Sequence, residues 1–143
     1  MGIWRTARKS LTVDTGAMAQ GDALGIKTSF NVPESGTIKS ITITDVDDEA
    51  SLTFNVWVFE SEPTGIATNA AFALTDSDAE KVTGVVLIDT GFDSINNRVH
   101  YEELSMPYIA HGGVLWLQVE LEASATPTFA AATDVKLQLV VEY

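Results

Sequence analysis

The sequence predicts an all-β protein: an antiparallel two-sheet β-sandwich, taken as an eight-stranded jelly roll, with one long crossover carrying a short helical turn. Apolar and polar residues alternate with a period of two in segment after segment, as in half-buried strands. Turn-forming residues separate these runs. The length of 143 residues suits one domain that buries its own core. Short, regular strands joined by polar turns are typical of sandwiches.

Four segments show the alternation most clearly. Their shared faces are Leu24, Ile26, Thr28, Phe30 and Val32 in 23–32; Leu52, Phe54, Val56 and Val58 in 51–60; Leu115, Leu117, Val119 and Leu121 in 115–122; and Val135, Leu137, Leu139 and Val141 in 134–143. Shorter or less regular candidates are 11–15, 37–45, 82–90 and 97–104. The predicted core includes Phe30, Ile41, Ile43, Leu52, Phe54, Leu117, Val119, Leu137 and Leu139, because alternation fixes which face is buried.

Most connections are short, but residues 61–81 are too many for a hairpin. Near the end of this crossover, TDSDAEK predicts a helical turn capped by Asp76 or Ser77, with Asp78 and Glu80 in its first turn. We expect the crossover to carry the chain from one sheet to the other.

Charge divides the chain into a basic N-terminal arm, 1–9, and a single acidic sandwich domain, 10–143. The formal net charge is −12, yet Arg5, Arg8 and Lys9 lie in the first nine residues, which contain no acid. We therefore expect the body to repel nucleic acid. The absence of cysteine excludes thiol chemistry and zinc-thiolate sites. No stretch resembles a secretory signal or is long enough to cross a bilayer, so we expect a soluble protein that does not bind membranes.

Catalytic signatures are weak. His100 and His111 have no companions at metal-ligand spacing, and no nucleophile or phosphate-loop motif occurs. We interpret His100 as an exposed strand residue. Glu102 and Glu103 are adjacent in a predicted strand and point to opposite faces, so they cannot form a glycosidase pair with each other. We expect no enzyme activity and no cofactor.

Four carboxylates, Asp45, Asp47, Asp48 and Glu49, lie within five positions and raise the alternatives of a cation site and a charged turn. A calcium loop requires alternating oxygen ligands, usually with a glycine at the bend and a bidentate acid further along. The segment has the first feature and lacks the other two. Its place between two predicted strands favours a solvated turn that binds no specific metal.

Large aromatic side chains stand where a simple sandwich would face water. Trp57, Val58 and Phe59 place large apolar groups on both faces of a strand end, and Trp116 lies opposite the Leu115/Leu117 face. Such a strand end can be covered by the crossover, which we favour, or by another chain. Together with Trp4, Arg5, Arg8 and Lys9 of the arm, these three aromatics are our candidate interface residues.

Residues 59–88 contain an ordered series of five features: Phe59, Pro63-Thr64, Asn69-Ala70-Ala71-Phe72, Asp76-Ser77-Asp78 and Gly84-Val85-Val86. The series resembles the small β-sandwich cement or decoration proteins of tailed-bacteriophage heads. Weaker likeness extends to residues 14–25 and 126–141.

The resemblance implies a jelly-roll fold, no catalysis, and a dimer or trimer that binds the major capsid protein on the outer surface of the shell. It places the protein in the virion after synthesis in the host cytoplasm. We expect the arm to be the attachment element, with Trp4 as its main anchor. Two alternatives from other classes are a carbohydrate-binding or fibre-type module stacking sugars on Trp57, Trp116 or Tyr108, and a small hydrolase using His100 or His111.

Overall fold

The computed structural model describes residues 1–47, 49, 52–122 and 126–143. Within these ranges the chain forms two antiparallel sheets packed as a β-sandwich, as predicted. The elements are β1 (Ile3–Arg5), β2 (Lys9–Ser10), β3 (Ala23–Asn31), β4 (Ser35–Asp45), β5 (Phe54–Phe59), α1 (Asp76–Ala79), β6 (Val82–Ile88), β7 (Gly91–Asp93), β8 (Arg98–Ile109), β9 (Val114–Leu121) and β10 (Val135–Glu142). Of the helices described, none is long and apolar enough to cross a membrane.

The strand order is that of a jelly roll. One sheet has the order β1-β10-β4-β8-β7, with β2 also paired to β10, and the other has the order β3-β9-β5-β6. Short links such as the turn before β4 join strands of opposite sheets, which produces the interleaved order.

Ten strands are seen in the described ranges where eight were predicted. The first jelly-roll strand is divided into β1 and β2, and the short β7 is added beside β8. The strand predicted at 11–15 is wrong, because Thr12 has a φ of 55° that breaks the extended chain. Buried Leu11 and Val13 instead donate single backbone hydrogen bonds to Val135 and Ala132 (3.0 and 3.1 Å).

The predicted core is confirmed, since all nine of its named residues are buried between the sheets. One inward assignment in β3 is wrong: Ile26 is 44% exposed. The pairing of β3 with β9 shifts between Leu24 and Thr28, beside Gly25 at a φ of 82°. This irregularity turns Ile26 out of the core.

The long crossover does carry the predicted helical turn, α1, but its cap and its path differ from expectation. Thr75, rather than Asp76 or Ser77, is the N-cap, and its hydroxyl accepts from the Asp78 amide at 3.1 Å. The crossover does not change sheets, because β5 and β6 pair directly with each other. It leaves the four-stranded sheet and returns to its edge.

Candidate functional site

The crossover lies over the outer face of the four-stranded sheet and is anchored there by buried Asp78. Its carboxylate accepts from the backbone amides of Thr64 (2.8 Å) and Gly65 (3.2 Å), and Lys81 lies 3.6 Å away. Burial by itself would raise the pKa of Asp78, but the two amide donors and Lys81 outweigh it and hold the pKa below its ordinary value. The Asp-Ser-Asp feature of the sequence therefore fixes the Pro-Thr step in place.

A second anchor is Gln118 of β9, which is fully buried although it points away from the core. Its side chain accepts from the Ile66 amide (3.0 Å) and donates to the carbonyls of Ile66 (2.6 Å) and Gly25 (3.2 Å). The Gln118 side chain thus forms both hydrogen bonds with the Ile66 backbone that a neighbouring strand would form, and these bonds hold the crossover against the sheet.

The three aromatic residues of this sheet that we proposed for an interface contact other parts of their own chain, and two of them, Trp57 and Trp116, stay partly exposed. Trp57 packs against Phe72 of the crossover with ring centroids 5.4 Å apart, and its indole donates to Glu120 at 3.1 Å. Phe59 is fully buried beyond a register shift at the end of β5. The Lys27 ammonium lies 5.5 Å from the ring centroid of Trp116. The crossover therefore contacts the strand end at Trp57 through Phe72, as we expected, whereas Trp116 is flanked by Lys27 of β3.

The N-terminal arm is part of the six-stranded sheet. β1 and β2 pair with β10, so Arg5 and Lys9 have fixed positions on the sandwich. Trp4 is 43% exposed and donates from its indole to the Asn31 carbonyl at 3.1 Å. Lys9 donates to the Ser29 carbonyl, whereas the Arg8 guanidinium donates to the neutral Gln138 side chain at 3.3 Å.

Pairing of the arm with β10 assembles a set of cations on the outer face of the six-stranded sheet. Arg5 and Arg8 come from the arm, Lys136 from β10, and Lys39 from a bulge in β4. We call these four residues the cationic face. A shallow groove of about 420 Å³ between Arg5 and Lys39 is lined also by Ser40, Tyr101, Glu103, Leu104 and Val140. Sequence reasoning missed Lys39 and Lys136 because they are distant from the arm along the chain.

A second surface runs along the side of the sandwich where β6 and the later half of β8 face each other. In the described part of the chain, β6 pairs only with β5, and β8 beyond Tyr101 pairs only with β4. The apolar side chains along these edges, which we call the apolar seam, are Val85, Leu87, Leu104, Met106 and Ile109. Leu87 and Ile109 are 51% and 60% exposed, and β6 carries no charged residue to protect its edge.

His100 is buried, so its prediction as an exposed residue is wrong. Its ring meets Phe54 edge-on at 4.7 Å and packs over Gly91 of β7. Neither ring nitrogen has a hydrogen-bond partner among the described residues. Burial, assisted by the nearby charge of Arg98, lowers the pKa of His100 from 6.5 to about 4, so the ring is neutral at pH 7. Tyr108, the third predicted sugar platform, is also buried.

In the described part of the acidic segment, hydrogen bonds to Asp45 form a turn, but Asp45 itself is buried rather than solvated. The Asp45 carboxylate accepts from the amides of Asp47 and Glu49, both at 2.9 Å, and is fully buried, which raises its pKa. Asp47 in turn accepts from the Ala130 amide at 3.0 Å. Asp48 lies outside the described residues. Across the described ranges, no three histidine or acidic side chains are grouped so that they could hold a metal ion.

Searches against protein-family models, curated proteins and solved structures found no match to this chain.

Proposed function

We propose that this chain is a structural protein of a tailed-bacteriophage virion: a decoration or cement protein that binds the outside of the capsid and bridges major capsid subunits. The apolar seam is the observation that carries the proposal. Three of its side chains, Val85, Leu87 and Ile109, are exposed, while Leu104 and Met106 pack partly against the core. Exposed apolar side chains on unpaired strand edges are typical of protein–protein contact sites. Covering one such side chain completely contributes about 1.5–3 kcal/mol, so a few of them support a specific contact.

A protein that bridges subunits needs more than one contact surface. The apolar seam lies between the two sheets along the edge of β6, whereas the cationic face lies on the outside of the six-stranded sheet. A subunit can therefore contact two neighbours at once. We assign the seam to a neighbouring copy of this chain in a dimer or trimer. Its β6 side carries no charged residue, although Glu60 and Glu102 border it, so copies that each carry a net charge of −12 can meet there with little repulsion.

The resemblance at residues 59–88 supports the proposal of a decoration protein, because the residues that carry it contact one another or the sheet beneath them. Phe59 and Phe72 pack in or against the four-stranded sheet, Asp78 anchors the crossover, and Gly84 lies against the Met106 side chain. A series with interlocking structural roles is more specific than an alanine-rich segment with none.

Binding, rather than catalysis, also fits the histidines. His100 is enclosed by core residues, and His111 lies exposed in a short turn after β8. Among the described residues, no hydrogen-bonded partner prepares the His100 ring as a general base.

The proposal is tested by a mass-spectrometric inventory of purified virions of the phage that encodes this chain. We expect the chain at a fixed stoichiometric ratio to the major capsid protein. Its absence from virions, with the protein present in the infected cell, would reject the proposal.

A further inference from the structure

We infer that the cationic face receives an acidic protein surface, with Arg5, Arg8, Lys39 and Lys136 as the groups that meet its carboxylates. The inference rests on the proposed function insofar as the natural partner is the outer surface of the capsid. It assigns that contact to a fixed sheet face rather than to a loose terminal arm.

The first argument is how the eight basic residues divide. Of the four outside the cationic face, three are paired with acids: Lys27 with Glu62 (2.9 Å), Lys81 with Asp78 (3.6 Å) and Arg98 with Asp93 (3.8 Å). The fourth, Lys9, donates to the Ser29 carbonyl, as Arg8 on the face donates to the neutral Gln138 side chain. The four on the face form no ion pair with any residue in the described ranges. In a chain with twenty acidic residues, four cations that lack acidic partners and lie on one face are suited to an external anion.

The second argument is the contrast between this face and the rest of the molecule. By strand alternation, the face includes two acids, Glu103 and Glu142, so four cations outnumber them on a chain of net charge −12. An acidic surface approaching from another direction is repelled, whereas one approaching this sheet is attracted. Such asymmetry orients the encounter and selects the partner.

A protein surface suits the face better than nucleic acid. Glu103 lies within the groove, where its carboxylate would repel a continuous phosphate backbone. Isolated carboxylates of a protein can instead meet the cations one at a time. Within the groove the Tyr101 hydroxyl donates to Glu103 at 3.2 Å, so this carboxylate is held in place beside the cations.

The face is also preformed. The Gln138 side chain donates to the Thr6 carbonyl at 2.9 Å and accepts from Arg8, while the Thr6 hydroxyl accepts from the Leu139 amide at 3.0 Å. These contacts, with the pairing of β1 and β2, hold both arginines beside β10. Little further ordering is needed on binding, which favours affinity.

The test is binding of the intact purified protein to immobilised poly-L-glutamate, with double-stranded DNA and neutral dextran as comparison surfaces. The face variant is Arg5→Gln/Lys136→Gln. The control is Ala67→Glu/Ala73→Glu, which changes net charge by the same amount at exposed crossover positions without breaking an ion pair. Thermal melting of each variant shows that it is folded.

We expect the wild-type chain to bind polyglutamate at low salt and to release it at about 0.5 M salt. The affinity of the face variant for polyglutamate should be at least about fivefold lower than that of wild type, and the affinity of the control should lie within about twofold of wild type. Equal loss in the two variants, or no wild-type binding, would overturn the inference, and preferential binding to DNA would assign the face to nucleic acid. Because no virion is involved, failure here is separate from failure of the virion inventory.

Discussion

Replacing His100 with leucine should remove most of the pH dependence of stability between pH 7 and pH 5. The unfolded state takes up a proton near pH 6.5, but the buried ring resists protonation until about pH 4. The unfolded state therefore binds more protons in that window, and the free energy of unfolding falls as the pH falls. With these two pKa values, linkage gives a loss of about 2 kcal/mol from pH 7 to pH 5.

The measurement is urea unfolding at pH 7, 6 and 5 for wild type, His100→Leu and a control, His111→Gln. We expect wild type and control to lose about 2 kcal/mol over this range and His100→Leu to lose far less. Leucine should also stabilise the fold at pH 7, because it removes two buried ring nitrogens that lack partners among the described residues. Parallel pH profiles for all three proteins would refute the reasoning.

Three further predictions concern the crossover and the acidic turn. Asp78→Asn should lower the free energy of unfolding in urea by about 2 kcal/mol, because the charge that accepts two backbone amides is lost. The control Asp76→Asn, at an exposed position, should lower it by less than about 0.5 kcal/mol. Equal losses would contradict the anchoring role of Asp78. Phe72→Ala should uncover Trp57 and shift tryptophan emission to longer wavelength, with a stability loss of about 1 kcal/mol; unchanged emission would argue against the packing. Added EDTA should leave the melting temperature unchanged, since Asp45 already accepts backbone amides; a drop of several degrees that calcium reverses would show a cation site.

The core could be predicted from the sequence because burial on one face imposes a period of two. Phe54 and Leu137, for example, are buried as the alternation required. The pattern failed where backbone geometry interrupts it, as at Gly25, which turns Ile26 outward. His100 was misplaced for a related reason: its direction depends on the register of β8 against β4, which pairs it with buried Ile43.

Interface prediction had a different limit. Trp57, Val58 and Phe59 correctly indicated a strand end covered on both faces, but the sequence alone could not say whether the same chain or another one covers it. Arg5 and Arg8 were visible as a charge cluster. Lys39 and Lys136 lie near them only because β4 and β10 pair in the fold, and local sequence patterns do not predict which distant strands pair.

The central claim, that this chain is a bridging protein of the capsid exterior, is tested most directly by electron cryo-microscopy of the virion. We predict jelly-roll density on the outer surface of the shell, with the cationic face towards acidic residues of the major capsid protein and the apolar seam against a neighbouring copy. A shell surface without such density, or density with the six-stranded sheet facing solvent, would contradict the account.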